Sequence, residues 1–203
     1  MKTLYVTDRE AIGDTRLAAI LSALAGAPKV SVVLREASAD DRALLGRATD
    51  ARHRLGDSTP LLVHRRFDVA LAAGAEGVHL PASGLPVARV RAHAPRGFRV
   101  GVSTHAAAEA ERALADGADL VVIGPVFDTP SKRSYGPSLG PSALAALPPR
   151  QSHGSEVYAI GGIAESNLHE LEPYADRISG IAAIRLFQES ADPRAVADRL
   201  AAR

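Results

Sequence analysis

Apolar residues fall in short dense runs separated by stretches of helical periodicity. The runs are Thr3–Asp8, Lys29–Arg35, Pro60–His64, Gly77–Leu80, Phe98–Ser103, Leu120–Gly124, Val157–Ile160 and Gly180–Ile184. Most are continuously apolar rather than alternating, which suits strands buried on both faces of a parallel sheet. Between them, Asp40–Leu55, Arg66–Ala73, Val87–Ala94, Ala106–Asp116, Ser166–Leu171 and Pro193–Ala202 read as helices. The segment Ala106–Asp116 puts Ala110, Ala113 and Leu114 on one face and stops at Gly117. Asp192 followed by Pro193 has the form of an N-cap with proline at the first helical position.

Eight strand–helix units predict a single-domain (β/α)8 TIM barrel over residues 1–203, of the α/β class, at the small end of that fold's range. A doubly wound open sheet is the alternative. The segments Leu71–Leu80 and Leu114–Ile123 repeat a helix end, a Gly-Ala-acid turn and a strand. The long irregular stretch Pro125–Pro141 is expected to carry function.

Composition adds mainly exclusions. Hydrophobic residues make up 46% and charged ones 23%, the balance of a folded chain. There is no cysteine, so disulfides, thiol nucleophiles and thiolate metal sites are ruled out. A net charge of +1 gives no overall attraction to nucleic acid or anionic membrane. No signal peptide or spanning run is evident, so a cytoplasmic location is expected, with no nucleic-acid or membrane partner.

Barrel chemistry sits at the C-terminal ends of the strands. Those ends carry Arg9, Arg35, Arg65, Arg66, Lys132, Arg133 and Arg185 against Asp8, Glu36 and Asp128. The chain is almost neutral, so this mouth is locally basic and suits a small phosphorylated ligand. Gly161-Gly162 after strand seven and the turn after strand eight have the form of a phosphate cradle, in which backbone N–H groups face the anion. Two glycines after a strand are also common turn punctuation. His79 reads as a hydrogen-bonded structural histidine and His105 as a cap. His64 ends an apolar strand facing the mouth and is the candidate acid or base. No metal site is expected: no Asp or Glu follows strands three, four or five.

Several motifs then occur in order. They are Leu4-Tyr5-Val6-Thr7-Asp8, Leu34-Arg35-Glu36, Gly77-Val78-His79-Leu80 and Gly101-Val102-Ser103-Thr104-His105. They continue with Gly124-Pro125-Val126-Phe127, Thr129-Pro130-Ser131-Lys132 and Ala159-Ile160-Gly161-Gly162-Ile163. From Leu4 to Ile184 the chain resembles the thiamine phosphate synthase and thiazole tautomerase (TenI-like) superfamily. The resemblance implies a barrel that binds a thiazole phosphate against Thr129, Ser131, Gly162, Ile184 and Arg185, with Gly161 in the cradle. It also implies that the synthase branch uses Mg²⁺ while joining hydroxymethylpyrimidine diphosphate to the thiazole.

The chain departs from the synthase pattern at three linked places. The pyrophosphate lysine is Ala37, and the two Mg²⁺-binding aspartates are Arg65 and Gly84. Such grouped losses point to a changed function. A tautomerase-like isomerase is therefore favoured over a full synthase, with no cofactor and with Mg²⁺ only under the synthase alternative. The tautomerase histidine is also missing, since Pro125 stands in its place. His64, Arg35, Lys132 and Ser103 are then the catalytic candidates, and Arg65 and Arg66 the further anion-binding ones. A non-catalytic binder of thiazole or thiamine phosphate is the third reading. A homodimer stays open.

Overall fold

The computed structural model describes residues 1–36, 38–129, 136–152 and 154–203. Eight parallel strands close a barrel in chain order: β1 (Lys2–Val6), β2 (Val30–Leu34), β3 (Leu61–His64), β4 (Gly77–Leu80), β5 (Arg99–Thr104), β6 (Leu120–Ile123), β7 (Glu156–Ile160) and β8 (Gly180–Ala183). The ring closes where β8 pairs with β1, Leu4 opposite Ala182. Each expected strand is present, and the closed ring excludes the open doubly wound sheet.

Alternation along each strand sorts the core into two clusters. Leu4, Val6, Val33, Leu62, Leu120, Val122, Tyr158 and Ala182 fill the barrel. Their neighbours, such as Tyr5, Val32, Val63, Val78, Val121 and Ile181, point outward under the helices. Both faces of every strand are thus covered, which explains the continuous apolar runs.

The outer layer holds α1 (Arg9–Leu24), α2 (Asp41–Leu55), α3 (Phe67–Ala72), α4 (Val87–Arg91), α5 (Ala107–Ala115), α6 (Arg185–Gln188) and α7 (Pro193–Ala201). Asp40 caps α2 by accepting from the Ala43 amide at 2.8 Å, and Asp192 caps α7 by accepting from Ala195 at 3.0 Å. Several elements depart from the sequence pattern. Helix α1 is interrupted at Gly13, whose φ of +76° breaks the periodic face, so the pattern hid it. Glu165–Tyr174, which spans the helix expected at Ser166–Leu171, is a 3₁₀ segment, and Pro141–Ala146 is another. No helix among the described residues is long and apolar enough to cross a membrane.

Candidate active site at the barrel mouth

Strands β2 to β5 bring one arc of polar side chains to the mouth. The turn after β2 is held by Thr7, whose Oγ1 accepts from the Arg35 amide at 2.9 Å. Leu34 pairs with Val63, which places Arg35 beside His64. His64 in turn pairs with His79, and their rings stack with centroids 6.0 Å apart. His79 Nε2 lies 2.8 Å from Ser103 Oγ on β5. An arc from Arg35 through His64 and His79 to Ser103 therefore crosses four strands just inside the rim.

Both histidines of this arc are neutral at pH 7. Burial, followed by the Arg35 and Arg65 charges, brings His64 down to about 4. Burial, followed by the His64 ring, brings His79 down to about 3. His79 Nδ1 is buried without a partner. It faces Gly101, where a Cβ would come within 2.6 Å. A proton on Nδ1 would be an unpaired buried donor, costing about 1–3 kcal/mol. The tautomer protonated at Nε2 avoids that cost and donates to Ser103 Oγ. The Ser103 hydroxyl hydrogen is then left to donate elsewhere.

The cations of the rim divide into spent and unspent. Arg9 Nε and Arg47 Nη1 both donate to Glu36 Oε2 at 2.8 Å, and the Glu36 side chain is only 2% exposed. Arg66 is bound to Asp41 and to Asp68, on the helix side of its turn, and these bonds raise its pKa. Of the sequence candidates, Arg66 is thus turned away from the His64 arc, and Arg9 is neutralised. Arg35, Arg65 and Arg185 have no acidic partner among the described residues. The undescribed residues, Ala37, Pro130–Tyr135 and His153, contain no acid that could pair with them.

Strands β6 to β8 build a different arc, made of backbone. Gly124–Pro125 is a cis peptide. Gly161 (φ +101°) and Gly162 (φ +63°) lie in left-handed conformations that favour glycine. A Cβ at Gly161 would meet Pro125 Cβ at 2.5 Å, and one at Gly162 would meet the Asp128 carbonyl at 2.5 Å. Asn167 donates to the Gly162 carbonyl and accepts from the Ala164 amide, both at 2.9 Å, which fixes this turn. The Gly162 and Ile163 amides find no acceptor among the described residues. Across β8, Ile184 precedes the first turn of α6, where Arg185 is exposed. Thr129 is buried beside this arc. Ser131 and Lys132 lie outside the described residues.

The residues do not fit a divalent cation. His64 and Arg65 end β3, and Pro81 to Gly84 follow β4. A Cβ at Gly84 would already meet Pro81 Cδ at 2.9 Å. Glu36 is buried under two arginines, and no three His, Asp or Glu gather among the described residues. Mg²⁺ needs oxygen ligands, whereas Arg65 at the end of β3 offers a positive charge. Sequence reasoning missed the roles of Thr7, Gly101 and Asn167. Their only signals were a hydroxyl, a glycine and an amide near strand ends, which carry no ligand chemistry of their own.

The family model described as thiamine monophosphate synthase matches residues 3–187. A protein of Geobacter sulfurreducens is 42% identical over 196 residues, covering 95% of this chain and 89% of that protein. The thiamine-phosphate synthase of Methanoculleus marisnigri is 40% identical over 205 residues, covering 98% of this chain and 95% of its own. Among solved structures, thiamine phosphate pyrophosphorylase from Pyrococcus furiosus superposes with a TM-score of 0.81 at 27% identity, covering 98% of this chain and 93% of that one.

Proposed function

We propose that this barrel, which belongs to the thiamine monophosphate synthase family, joins a pyrimidine carried on a diphosphate to a thiazole phosphate. The observation that carries this reading is a mouth with two dissimilar anion-ready arcs facing each other. The names of the relatives support it over the isomerase that the sequence alone favours.

In this reading the thiazole phosphate lies on Gly161, Gly162, Ile184 and Arg185, flanked by Thr129, with Ser131 a further candidate on sequence grounds alone. Unpaired amides and close backbone approach favour an anion there. The diphosphate lies towards the arc of Arg35 and Ser103, and Lys132 remains a candidate on sequence grounds alone. The thiazole nitrogen forms a C–N bond to the pyrimidine methylene. The C–O bond to the diphosphate breaks, and its electron pair stays on the leaving oxygen. No proton moves in that step, so no base near pH 7 is required. Catalysis is then mainly the holding of charge that develops on the leaving group.

The isomerase is the second reading, favoured by the missing carboxylates. His64 would move a proton on a carboxylated thiazole phosphate. A ring held near 4 is a weak base at neutral pH, which counts against it.

A chromatographic assay for thiamine phosphate tests the choice, with pyrimidine diphosphate and thiazole phosphate supplied with and without MgCl₂. Product is the expected result. No product, with thiazole phosphate still bound, transfers the assignment to the isomerase or to a binder. Failure of thiazole phosphate to bind removes the cradle.

A further inference from the structure

We propose that the β2–β3 side of the mouth binds a diphosphate directly through the Arg35 and Arg65 guanidiniums, with no bridging divalent cation. The inference rests on the synthase reading for the identity of the substrate, but not for the anion site itself.

Three observations converge. First, Arg35 and Arg65 are both left without an acid among the described residues. Their neighbours Arg9, Arg47 and Arg66 are all consumed by Glu36, Asp41 and Asp68. Two unpaired guanidiniums on adjacent strand ends form a strong field for an anion and repel a metal ion. Second, the backbone presents Arg65 deliberately. Its φ is +69°, a left-handed conformation costing a non-glycine residue of order 1–2 kcal/mol. Its amide donates to the His79 carbonyl at 2.9 Å, which holds that conformation, and its side chain is exposed. The next residue, Arg66, turns back to the helix layer. Third, the floor beneath the pair contributes no charge. His64 is neutral, and Ser103 is left as a hydroxyl donor by the bond from His79.

A diphosphate fits this surface better than a monophosphate. Each planar guanidinium can engage one phosphate through two parallel N–H···O bonds. When the C–O bond breaks, the new negative charge sits on an oxygen already facing these fixed charges. They supply without metal the charge balance that a bridging cation would supply, in a planar geometry that matches phosphate oxygens.

The test is calorimetric titration of the purified protein with inorganic pyrophosphate, in EDTA and in excess MgCl₂. Binding in EDTA at least as tight as in MgCl₂ is expected. Arg35→Gln and Arg65→Gln should each weaken it about 10- to 100-fold, the usual range for a charge-assisted bond. Arg66→Gln should change it less than about 2-fold, as expected of an exposed arginine paired elsewhere. Circular dichroism melts show that each variant is folded. Binding that requires MgCl₂, or that survives Arg35→Gln and Arg65→Gln in folded protein, overturns the proposal. Metal-free binding lost in both variants, without any thiamine phosphate product, would leave this anion site standing and remove only the synthase reading.

Discussion

The two ends of the barrel use the same kinds of side chain in opposite ways. At the N-terminal end, Glu156 points inward and accepts from Lys2 at 2.5 Å, Arg99 at 2.5 Å and the Tyr158 hydroxyl at 2.8 Å. Burial opposes the charge on Glu156, yet Lys2, Arg99 and Tyr158 outweigh it and hold the carboxyl below its usual range. At the C-terminal end, Arg35, Arg65 and Arg185 have no such acid among the described residues. The closed end balances its charge within the chain, and the open end leaves the balance to a ligand. Stability is built at one face of this fold and chemistry at the other.

Breaking the open end should have the largest effect on activity. The double variant Arg35→Gln/Arg65→Gln is expected to lower kcat/KM for thiamine phosphate formation by about 10²–10⁴-fold, from about 1.5–3 kcal/mol per charged bond. Its melting temperature should stay within about 2 °C of the parent, because neither guanidinium has a partner to lose. Steady-state kinetics and a thermal melt read both quantities.

Breaking the closed end should do the reverse. Glu156→Ala leaves Lys2, Arg99 and Tyr158 without their acceptor inside the barrel. Lys2 is nearly half exposed, so the loss is discounted to about 2–3 kcal/mol. That corresponds to a fall in Tm of roughly 4–12 °C. At a temperature where the variant is folded, kcat/KM should be unchanged within about 3-fold.

A pH titration separates the ends without mutation. Both histidines of the mouth have folded pKa values below the unfolded value of about 6.5. The unfolded chain therefore binds more protons, and stability falls as the pH drops from about 6.5 towards 4. His64 alone accounts for roughly 2–3 kcal/mol of this loss. A His64→Gln variant should flatten the slope in urea titrations across that window, and an unchanged slope would contradict the burial of this ring. Glu156 acts in the same direction, since its lowered pKa makes the closed end lose stability only as it becomes protonated on acidification.

The smallest expected change is at Arg66. Its pairs with Asp41 and Asp68 are solvent-exposed, so Arg66→Ala should leave the thermal melt close to that of the parent. Product formation should be unaffected. A loss of activity there would return this residue to the mouth and blur the boundary between spent and unspent cations.

Much of the scaffold was legible in the chain itself. Runs such as Leu61–His64 and Leu120–Ile123 are apolar at every buried position, so their strand character needed no partner to be seen. Helix α1 was not legible, because Gly13 interrupts the spacing on which recognition depends. The site was legible as a set of residue types and illegible as a circuit. His79 read as a structural histidine, yet it links His64 to Ser103 across β3, β4 and β5. Arg65 and Arg66 are adjacent in sequence and identical in type. A left-handed turn at Arg65 and two acids near Arg66 give them opposite surroundings.

The sequence by itself determined the barrel class, the glycine turns after β7 and the absence of an acid at Arg65 and Gly84. Each of these is carried by local residue type or by spacing along the chain. Only the tertiary structure decided which arginines are neutralised, which histidines are kept uncharged and which hydroxyl is left to donate. Those outcomes depend on burial and on partners from distant segments, as when Glu36 gathers Arg9 and Arg47, and no reading along one strand contains them.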